Sequence, residues 1–237
     1  MNRYILKNVM NRRIKSVKDT DVTIDIINKY FNKNLGFGKY KQTAIDLLQI
    51  TINILNEFEI PYCLISGTLL GYVRHNDFIP WDDDIDLLVD SSIINKYENI
   101  IKKYNDTIKI ININNIIIKI CFNNKEYPIQ NHKSNHIDTY KTYNWPFIDL
   151  FPFTYENINT LNFFGKLWKV DEFFPLNNVL FLGMNVVIPK NPDYFLELNF
   201  SKNYLIECVS NKYIHKEEKL TKDNIVKISY EKLLEYI

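Results

Sequence analysis

The spacing of apolar residues predicts that helices and short strands alternate along the first half of the chain. From Lys41 to Phe58, apolar residues recur at the spacing of an amphipathic helix, and Pro61 ends that pattern. Short apolar runs bounded by Ser, Gly or Pro are typical of buried strands. The same criteria predict a strand at Tyr62–Ile65, a short helix at Thr68–His75, a strand at Asp84–Val89 and a helix at Ile93–Tyr104.

The second half of the chain is predicted to be richer in strands. The predicted elements are a hairpin of Ile108–Ile113 with Ile116–Phe122, a strand at Phe147–Phe151 that Pro152 stops, a hairpin of Val179–Leu182 with Asn185–Ile188, and a helix capped by Asn191 that runs to Asn199. This order predicts an α/β (α+β) fold, in which helices flank a mixed sheet and a C-terminal hairpin and helix extend it.

The charged residues divide the chain into a central domain with two flanking segments. We expect an N-terminal arm at residues 1–38, which are basic and polar, and one domain at 39–210. Residues 211–237 are expected to form a charged helical tail.

Composition and charge exclude several classes of protein. The chain has 237 residues, of which 46% are hydrophobic and 24% charged, as in an ordinary globular protein. Its formal net charge of +1 argues against a general nucleic-acid binder. Cys63, Cys121 and Cys208 form no CxxC pair, and the N-terminus has no apolar stretch long enough for a signal peptide. We therefore expect a cytoplasmic protein without a transmembrane segment.

The stretch IPWDDDIDLLVD places a row of acids at the start of a predicted strand. Side chains alternate faces along a strand, so Asp82, Asp84 and Asp86 share one face while the apolar residues share the other. If the strand already begins at this row, Asp83 points away from that face, which gives it a weaker role. Carboxylates that converge need a cation, and hard oxygen ligands suit Mg²⁺ or Mn²⁺ better than zinc.

Two further features point to phosphate chemistry at this place. Asp149 stands alone among apolar residues in FIDLF, and an acid is rarely buried in a strand without a partner or a function. We expect its strand to neighbour that of Asp84 and Asp86. The turn Ser66-Gly67-Thr68 lies between a predicted strand and a helix, where free N–H groups attract anions. A phosphate held there could bridge to a metal ion on the acids.

A purely structural interpretation stands beside this one. A row of three aspartates is commonly a solvated turn or a helix cap, and Ser-Gly-Thr is commonly only a turn. Arg74, on the helix that follows, either pairs with a diphosphate or is a solvated cation at the helix end. The Ser-Gly-Thr turn, the row of aspartates and the lone aspartate of FIDLF follow one another in a single chain. This combination favours a functional site over a purely structural explanation.

The segments SGTLLGYVRH, FIPWDDDIDLLV and PFIDLFPF together resemble the LicD and fukutin-related family of phosphotransferases. That family belongs to the DNA polymerase β-like nucleotidyltransferase superfamily, and the resemblance extends from about Lys41 to Phe200. It implies a nucleotidyltransferase-like mixed sheet for the domain at 39–210.

The resemblance also implies a reaction and a set of roles. The reaction would move a phospho-alcohol, of the phosphocholine or ribitol-phosphate type, from a CDP-activated donor to a hydroxyl of a glycan or lipid-linked glycan, releasing CMP. The implied catalytic residues are Asp84, Asp86 and Asp149; the metal ligands for Mg²⁺ (or Mn²⁺) are the same three with Asp82; the donor phosphates would contact Ser66, Gly67, Thr68 and Arg74. Asp149 would either bind the metal or accept the proton of the attacking hydroxyl.

Two other functions and one other metal stay open. A nucleotidyltransferase of the same superfamily would leave the NMP on its acceptor, and a non-catalytic module would only bind a glycan or nucleotide. Some relatives carry zinc, for which Cys121, His132 and His136 are the candidates here. A structural zinc site needs four ligands, so we expect both histidines to lie in a polar loop instead.

Overall fold

A computed structural model describes residues 14–123, 143–221 and 223–237 of the chain. The helices are α1 (Ile24–Tyr30), α2 (Lys41–Glu57), α3 (Ser66–Leu70), α4 (Ile93–Tyr104), α5 (Val170–Phe173), α6 (Pro192–Asn199) and α7 (Tyr230–Leu234). A π-helical turn at Gly71–His75 extends α3, and a 3-10 turn covers His215–Glu217.

The strands of the described residues fall into one large sheet and three small ones. They are β1 (Ile14–Ser16), β2 (Tyr62–Leu64), β3 (Ile85–Asp90), β4 (Ile108–Ile113), β5 (Ile117–Phe122), β6 (Phe147–Asn157), β7 (Thr160–Phe163), β8 (Lys166–Lys169), β9 (Asn177–Phe181), β10 (Met184–Ile188), β11 (Glu207–Val209), β12 (Tyr213–Ile214), β13 (Lys219–Leu220) and β14 (Ile225–Ser229). The large sheet has the order β2-β3-β6-β5-β4, with β7 and β8 continuing from β6.

The centre of the large sheet positions the predicted acids. β3 runs parallel to β6, while β2 and β5 are antiparallel to these strands. The register sets Asp86 beside Asp149 and Asp149 beside Lys119. The expectation that the strands of Asp86 and Asp149 are neighbours is therefore confirmed.

The core lies between this sheet and its flanking helices. Helix α2 packs against β5 and β6 through residues that are almost fully buried, among them Leu47, Leu48 and Leu55. On β3, Ile85, Leu87 and Val89 are also fully buried. The predicted class, a mixed sheet flanked by helices, is confirmed, and so are both predicted hairpins and the Asn191 cap, which accepts a hydrogen bond from the backbone of Tyr194.

The prediction that Pro152 stops its strand is wrong. Strand β6 continues to Asn157, and Pro152 pairs in register with Val89. The backbone of Ser91 donates to the carbonyl of Phe153, so the polar groups of Phe153 face β3 and those of Pro152 face the other side. On that other side the pairing with β5 ends at Leu150, so no ladder bond needs the N–H that proline lacks.

The two ends of the chain are more structured than the sequence suggests. In the described part of the expected helical tail, α7 and the 3-10 turn at His215–Glu217 are the helical segments. Strand β14 lies between β1, which is parallel to it, and β11, which is antiparallel. Its apolar residues, Ile225, Val226 and Ile228, are buried, and the charged residues around this short run obscure it in the sequence. In the described part of residues 1–38, Phe31 and Phe37 are buried in the core. The boundaries at 38 and 210 stay predictions.

The hairpin of β7 and β8 was not predicted. Its register places Leu161 opposite Trp168, and both are buried.

Among the described residues, every helix is too short or too polar to cross a membrane.

Candidate metal centre

Three carboxylates meet where β3 and β6 run side by side. Oxygen atoms of Asp84, Asp86 and Asp149 all lie within 4.8 Å of one another. Asp84 and Asp149 are buried, and Asp86 is partly exposed at the cleft. Carboxylates brought this close repel one another, which makes the group a strong attractor for a cation.

The pKa values of these acids reflect that crowding. Burial first, and then the carboxylates of Asp83 and Asp149, raise the pKa of Asp84 to about 6, although His215 opposes the rise. Burial and the neighbouring carboxylates of Asp84 and Asp149 also raise the pKa of Asp86 well above its ordinary value. Without a cation, the centre therefore resists full ionisation.

Asp82 belongs to a neighbouring group rather than to the three converging acids. Its carboxylate clusters with those of Asp83 and Asp84 and with the imidazole of His215. It also lies directly over Gly67, where a Cβ atom would approach its Oδ2 to 2.1 Å. The absence of a side chain at Gly67 therefore provides the space that the Asp82 side chain occupies.

The turn at Ser66-Gly67-Thr68 is tied to the acidic strand. Ser66 has a left-handed backbone conformation with φ of 49°, which is uncommon for a residue with a side chain. The hydroxyl of Thr68 is buried and accepts a hydrogen bond of 2.9 Å from the backbone of Asp86. Thr68 therefore positions Asp86, whereas Ser66 and Gly67 line the cleft.

Arg74 reaches the same cleft. Its Nη1 donates to the carbonyl oxygens of Tyr204 and Glu207, at 2.8 Å each, and its guanidinium lies near the rings of Trp81 and Tyr230. The alternative of a solvated cation at the helix end is therefore wrong. Contact with a diphosphate stays a prediction.

Lys119 is a site residue that the sequence interpretation missed. It is 4% exposed, and its ammonium contacts both oxygens of Asp149, at 2.7 and 2.9 Å. It also lies 3.3 Å from Oε1 of Glu218 and 3.6 Å from the centroid of the Phe147 ring. Burial lowers the pKa of Lys119, but Asp149 and Glu218 outweigh burial, and the net pKa is raised. The ammonium thus stays charged.

His215, on the 3-10 turn near the C-terminus, is the second missed residue. Its Nε2 lies 3.1 Å from Asp84, and its Nδ1 lies 3.1 Å from Asp83. The carboxylate of Asp83 also accepts hydrogen bonds from the backbone of His215 and Lys216. Burial lowers the pKa of His215, but the carboxylates led by Asp84 raise it well above the ordinary value. Asp83 therefore anchors this turn beside the three converging acids.

A cleft of about 750 Å³ opens over the acids and provides room for a substrate. Its lining includes the acids together with Ser66, Gly67 and Arg74. Aromatic side chains also line it, among them Phe151, Phe163, Phe164, Trp168, Phe195 and Phe200.

The zinc candidates are only partly described. Cys121 is buried, and its sulfur accepts a hydrogen bond from the backbone of Asn144. His132 and His136 lie outside the described residues.

Comparison with known proteins gives a family match and several distant relatives. Residues 59–191 match the family model described as LicD/FKTN/FKRP, nucleotidyltransferase domain. The chain is 38% identical over 55 residues to the lipopolysaccharide cholinephosphotransferase LicD of Haemophilus influenzae, which covers 23% of this chain and 21% of that protein. It is 26% identical over 155 residues to the human ribitol 5-phosphate transferase FKRP, which covers 63% of this chain and 29% of that protein.

These matches span less than a third of the relatives' own lengths. Among solved structures, the lincomycin-bound lincosamide antibiotic adenylyltransferase LnuA aligns over 67% of this chain and 86% of its own. Its 12% identity and TM-score of 0.40 are too low to support a conclusion. The family match ends at residue 191, so His215 and Glu218 lie beyond the matched segment.

Proposed function

Because the chain belongs to the LicD/FKTN/FKRP nucleotidyltransferase-domain family, we propose that it transfers a phospho-alcohol from a CDP-activated donor to a glycan hydroxyl and releases CMP. The observation that carries this proposal is the convergence of Asp84, Asp86 and Asp149 in a substrate-sized cleft. The alcohol would be of the phosphocholine or ribitol-phosphate type, as the names of the relatives suggest.

The three acids fit a divalent cation of the Mg²⁺ or Mn²⁺ kind. All the donor atoms are carboxylate oxygens, which those ions prefer, and sulfur ligands are absent from the group. Asp84, Asp86 and Asp149 would hold the ion, with Asp82 beside them. Once bound, it would neutralise charge on the donor diphosphate and on the leaving CMP.

The chain's own residues would seat and orient the donor. Ser66 and Gly67 line the cleft next to the acids, and Arg74 adds a fixed positive charge that suits a diphosphate. Thr68 acts indirectly, because its hydroxyl holds the backbone of Asp86.

Asp149 fits the role of metal ligand better than that of proton acceptor. Burial raises the pKa of Asp149, but Lys119, from which both of its oxygens accept, opposes the rise and favours the ionised carboxylate that a metal ion needs. A carboxylate oxygen that accepts one hydrogen bond still has a lone pair for an ion.

The aromatic side chains that line the cleft support a glycan or lipid-linked glycan as the acceptor. Flat aromatic side chains provide apolar surface against which the less polar face of a sugar or the start of a lipid can pack. Phe164 and Phe200 are 42% and 46% exposed, so this surface is accessible. The cytoplasmic location expected from the sequence stays a prediction.

The test is incubation with a panel of CDP-alcohols, a glycan acceptor and Mg²⁺, with CMP release and product mass as readouts. We expect CMP from one class of donor and an acceptor that gains the phospho-alcohol. An acceptor that gains CMP instead would identify a nucleotidyltransferase. Donor binding without any turnover would identify a binding module.

A further inference from the structure

Lys119 contacts two carboxylates that belong to different parts of the chain. Asp149 lies on the neighbouring strand β6, and Glu218 follows the 3-10 turn at His215–Glu217. The ammonium makes two close contacts with Asp149 and one longer contact, of 3.3 Å, with Glu218. The lysine is therefore shared unequally between these two acids.

The two carboxylate oxygens of Glu218 differ in their hydrogen bonds to the described residues. Its Oε2 accepts a hydrogen bond of 3.0 Å from the hydroxyl of Tyr213. Its Oε1 is buried and receives no hydrogen bond from the described residues, and the Lys119 ammonium lies 3.3 Å from it. A buried carboxylate oxygen without a donor is costly, so Glu218 is ready to accept one from Lys119.

A divalent ion at the three acids would change the balance between these two partners. Ion and ammonium could share the Asp149 oxygens, but they would repel each other across them. A movement of Lys119 toward Glu218 would relieve this repulsion and satisfy Oε1. The rings of Phe147 and Tyr143 lie 3.6 and 5.1 Å from the ammonium and flank the cation.

We propose that Lys119 transfers its pairing from Asp149 to Glu218 when a divalent ion binds, so that Lys119 and Glu218 act together as positioning residues for Asp149. This inference rests on the proposed metal centre. It assigns a role to Glu218, which lies beyond the segment that matches the family. All the groups keep their charges, and only the hydrogen-bond partner of the ammonium changes.

The experiment is a double-mutant cycle on Mn²⁺ affinity, measured by calorimetry with the full chain and no donor. Glu218→Gln keeps the shape of the side chain but removes the anion that receives Lys119. We expect Mn²⁺ binding to weaken by about tenfold, the scale of one hydrogen bond between charged groups. Glu217→Gln is the matched control, because that exposed neighbour pairs with Lys219, and its Mn²⁺ affinity should equal that of the wild type.

The Lys119→Met background separates this pairing from a simple loss of negative charge. If Lys119 mediates the effect, adding Glu218→Gln to Lys119→Met should leave Mn²⁺ affinity unchanged. An equal loss in both backgrounds would overturn the proposal, and so would wild-type affinity in Glu218→Gln. A wild-type chain that binds no Mn²⁺ would instead contradict the proposed metal centre itself.

A second measurement covers the case in which Lys119→Met does not fold. A crystal structure of the Mn²⁺-bound wild type should show the ammonium at hydrogen-bond distance from Oε1 of Glu218 and farther from Asp149. An ammonium that keeps both Asp149 contacts beside a bound ion would refute the proposal.

Discussion

At the scale of single residues, the atoms that surround Gly67 explain why this position is a glycine. The carboxylate of Asp82 fills the position that a side chain at Gly67 would take. The glycine therefore has a steric role toward Asp82, in addition to the predicted role of admitting a phosphate to the backbone.

A double-mutant cycle tests this steric role. Gly67→Ala should lower the free energy of unfolding by about 1–3 kcal/mol, because the new methyl group must displace the Asp82 carboxylate. In an Asp82→Ala background the same change should cost less than half as much, since the clashing atom is gone. Urea unfolding measures both values, and equal losses in the two backgrounds would disprove the steric explanation.

His75 carries a pH-dependent part of the stability, away from the three acids. Burial first, and then the charge of Arg74, lower the pKa of His75 from 6.5 to about 4. Its Nε2 accepts a hydrogen bond of 3.0 Å from Arg74, which requires the neutral ring. The unfolded chain therefore binds a proton between about pH 6.5 and pH 4 that the folded chain does not.

Because the unfolded chain binds this extra proton, the folded chain loses stability as pH falls through that interval. We expect the melting temperature of the wild type to drop more steeply between pH 7 and pH 4.5 than that of His75→Gln. Glutamine can still accept from Arg74 but does not titrate. Parallel curves for the two proteins would show that His75 is not held neutral.

A charged residue within an apolar run of the sequence is the most useful indication of an individual site residue. Asp149 was found because it interrupts FIDLF, and Lys119 interrupts IIIKICF in the same way but was overlooked. His215 gives no such signal, because its surroundings in the sequence are polar. Its partner Asp83 is 132 positions away, so only the folded chain shows the contact.

At the scale of elements, the buried side chain of Asp83, just before β3, attaches the turn at His215–Glu217 to the large sheet. Asp83 has no exposed surface and accepts from two backbone N–H groups of this turn and from the ring of His215. Local sequence predicted the hairpins and the Asn191 cap, because those features depend on neighbouring residues. It did not predict this attachment, which depends on distant ones.

The change Asp83→Asn tests the attachment. The amide would present N–H groups to backbone donors, so at least one hydrogen bond to a charged acceptor should be lost. We expect a loss of about 2 kcal/mol in the free energy of unfolding. Asp46→Asn, on the exposed face of α2, is the control and should change stability little. A loss no larger than that of the control would contradict the anchoring role.

At the scale of the whole molecule, both ends of the described chain take part in one small sheet. Strand β14 joins β1 and β11, and the C-terminal segment between β11 and β14 carries His215 and Glu218 to the acids. The order of helices and strands was enough to predict the fold class. The pairing of β1 with β14 was not predictable, because it joins short strands about two hundred residues apart.

The most direct test of the metal-dependent centre compares CMP release by the wild type and by Asp86→Asn, using the CDP-alcohol that the donor panel identifies. We expect release by the wild type only with Mg²⁺, and release by the variant to fall by about a hundredfold or more. Its melting temperature without Mg²⁺ should be unchanged or slightly raised, because crowding by Asp84 and Asp149 is relieved. CMP release by folded Asp86→Asn at the wild-type rate would contradict the account.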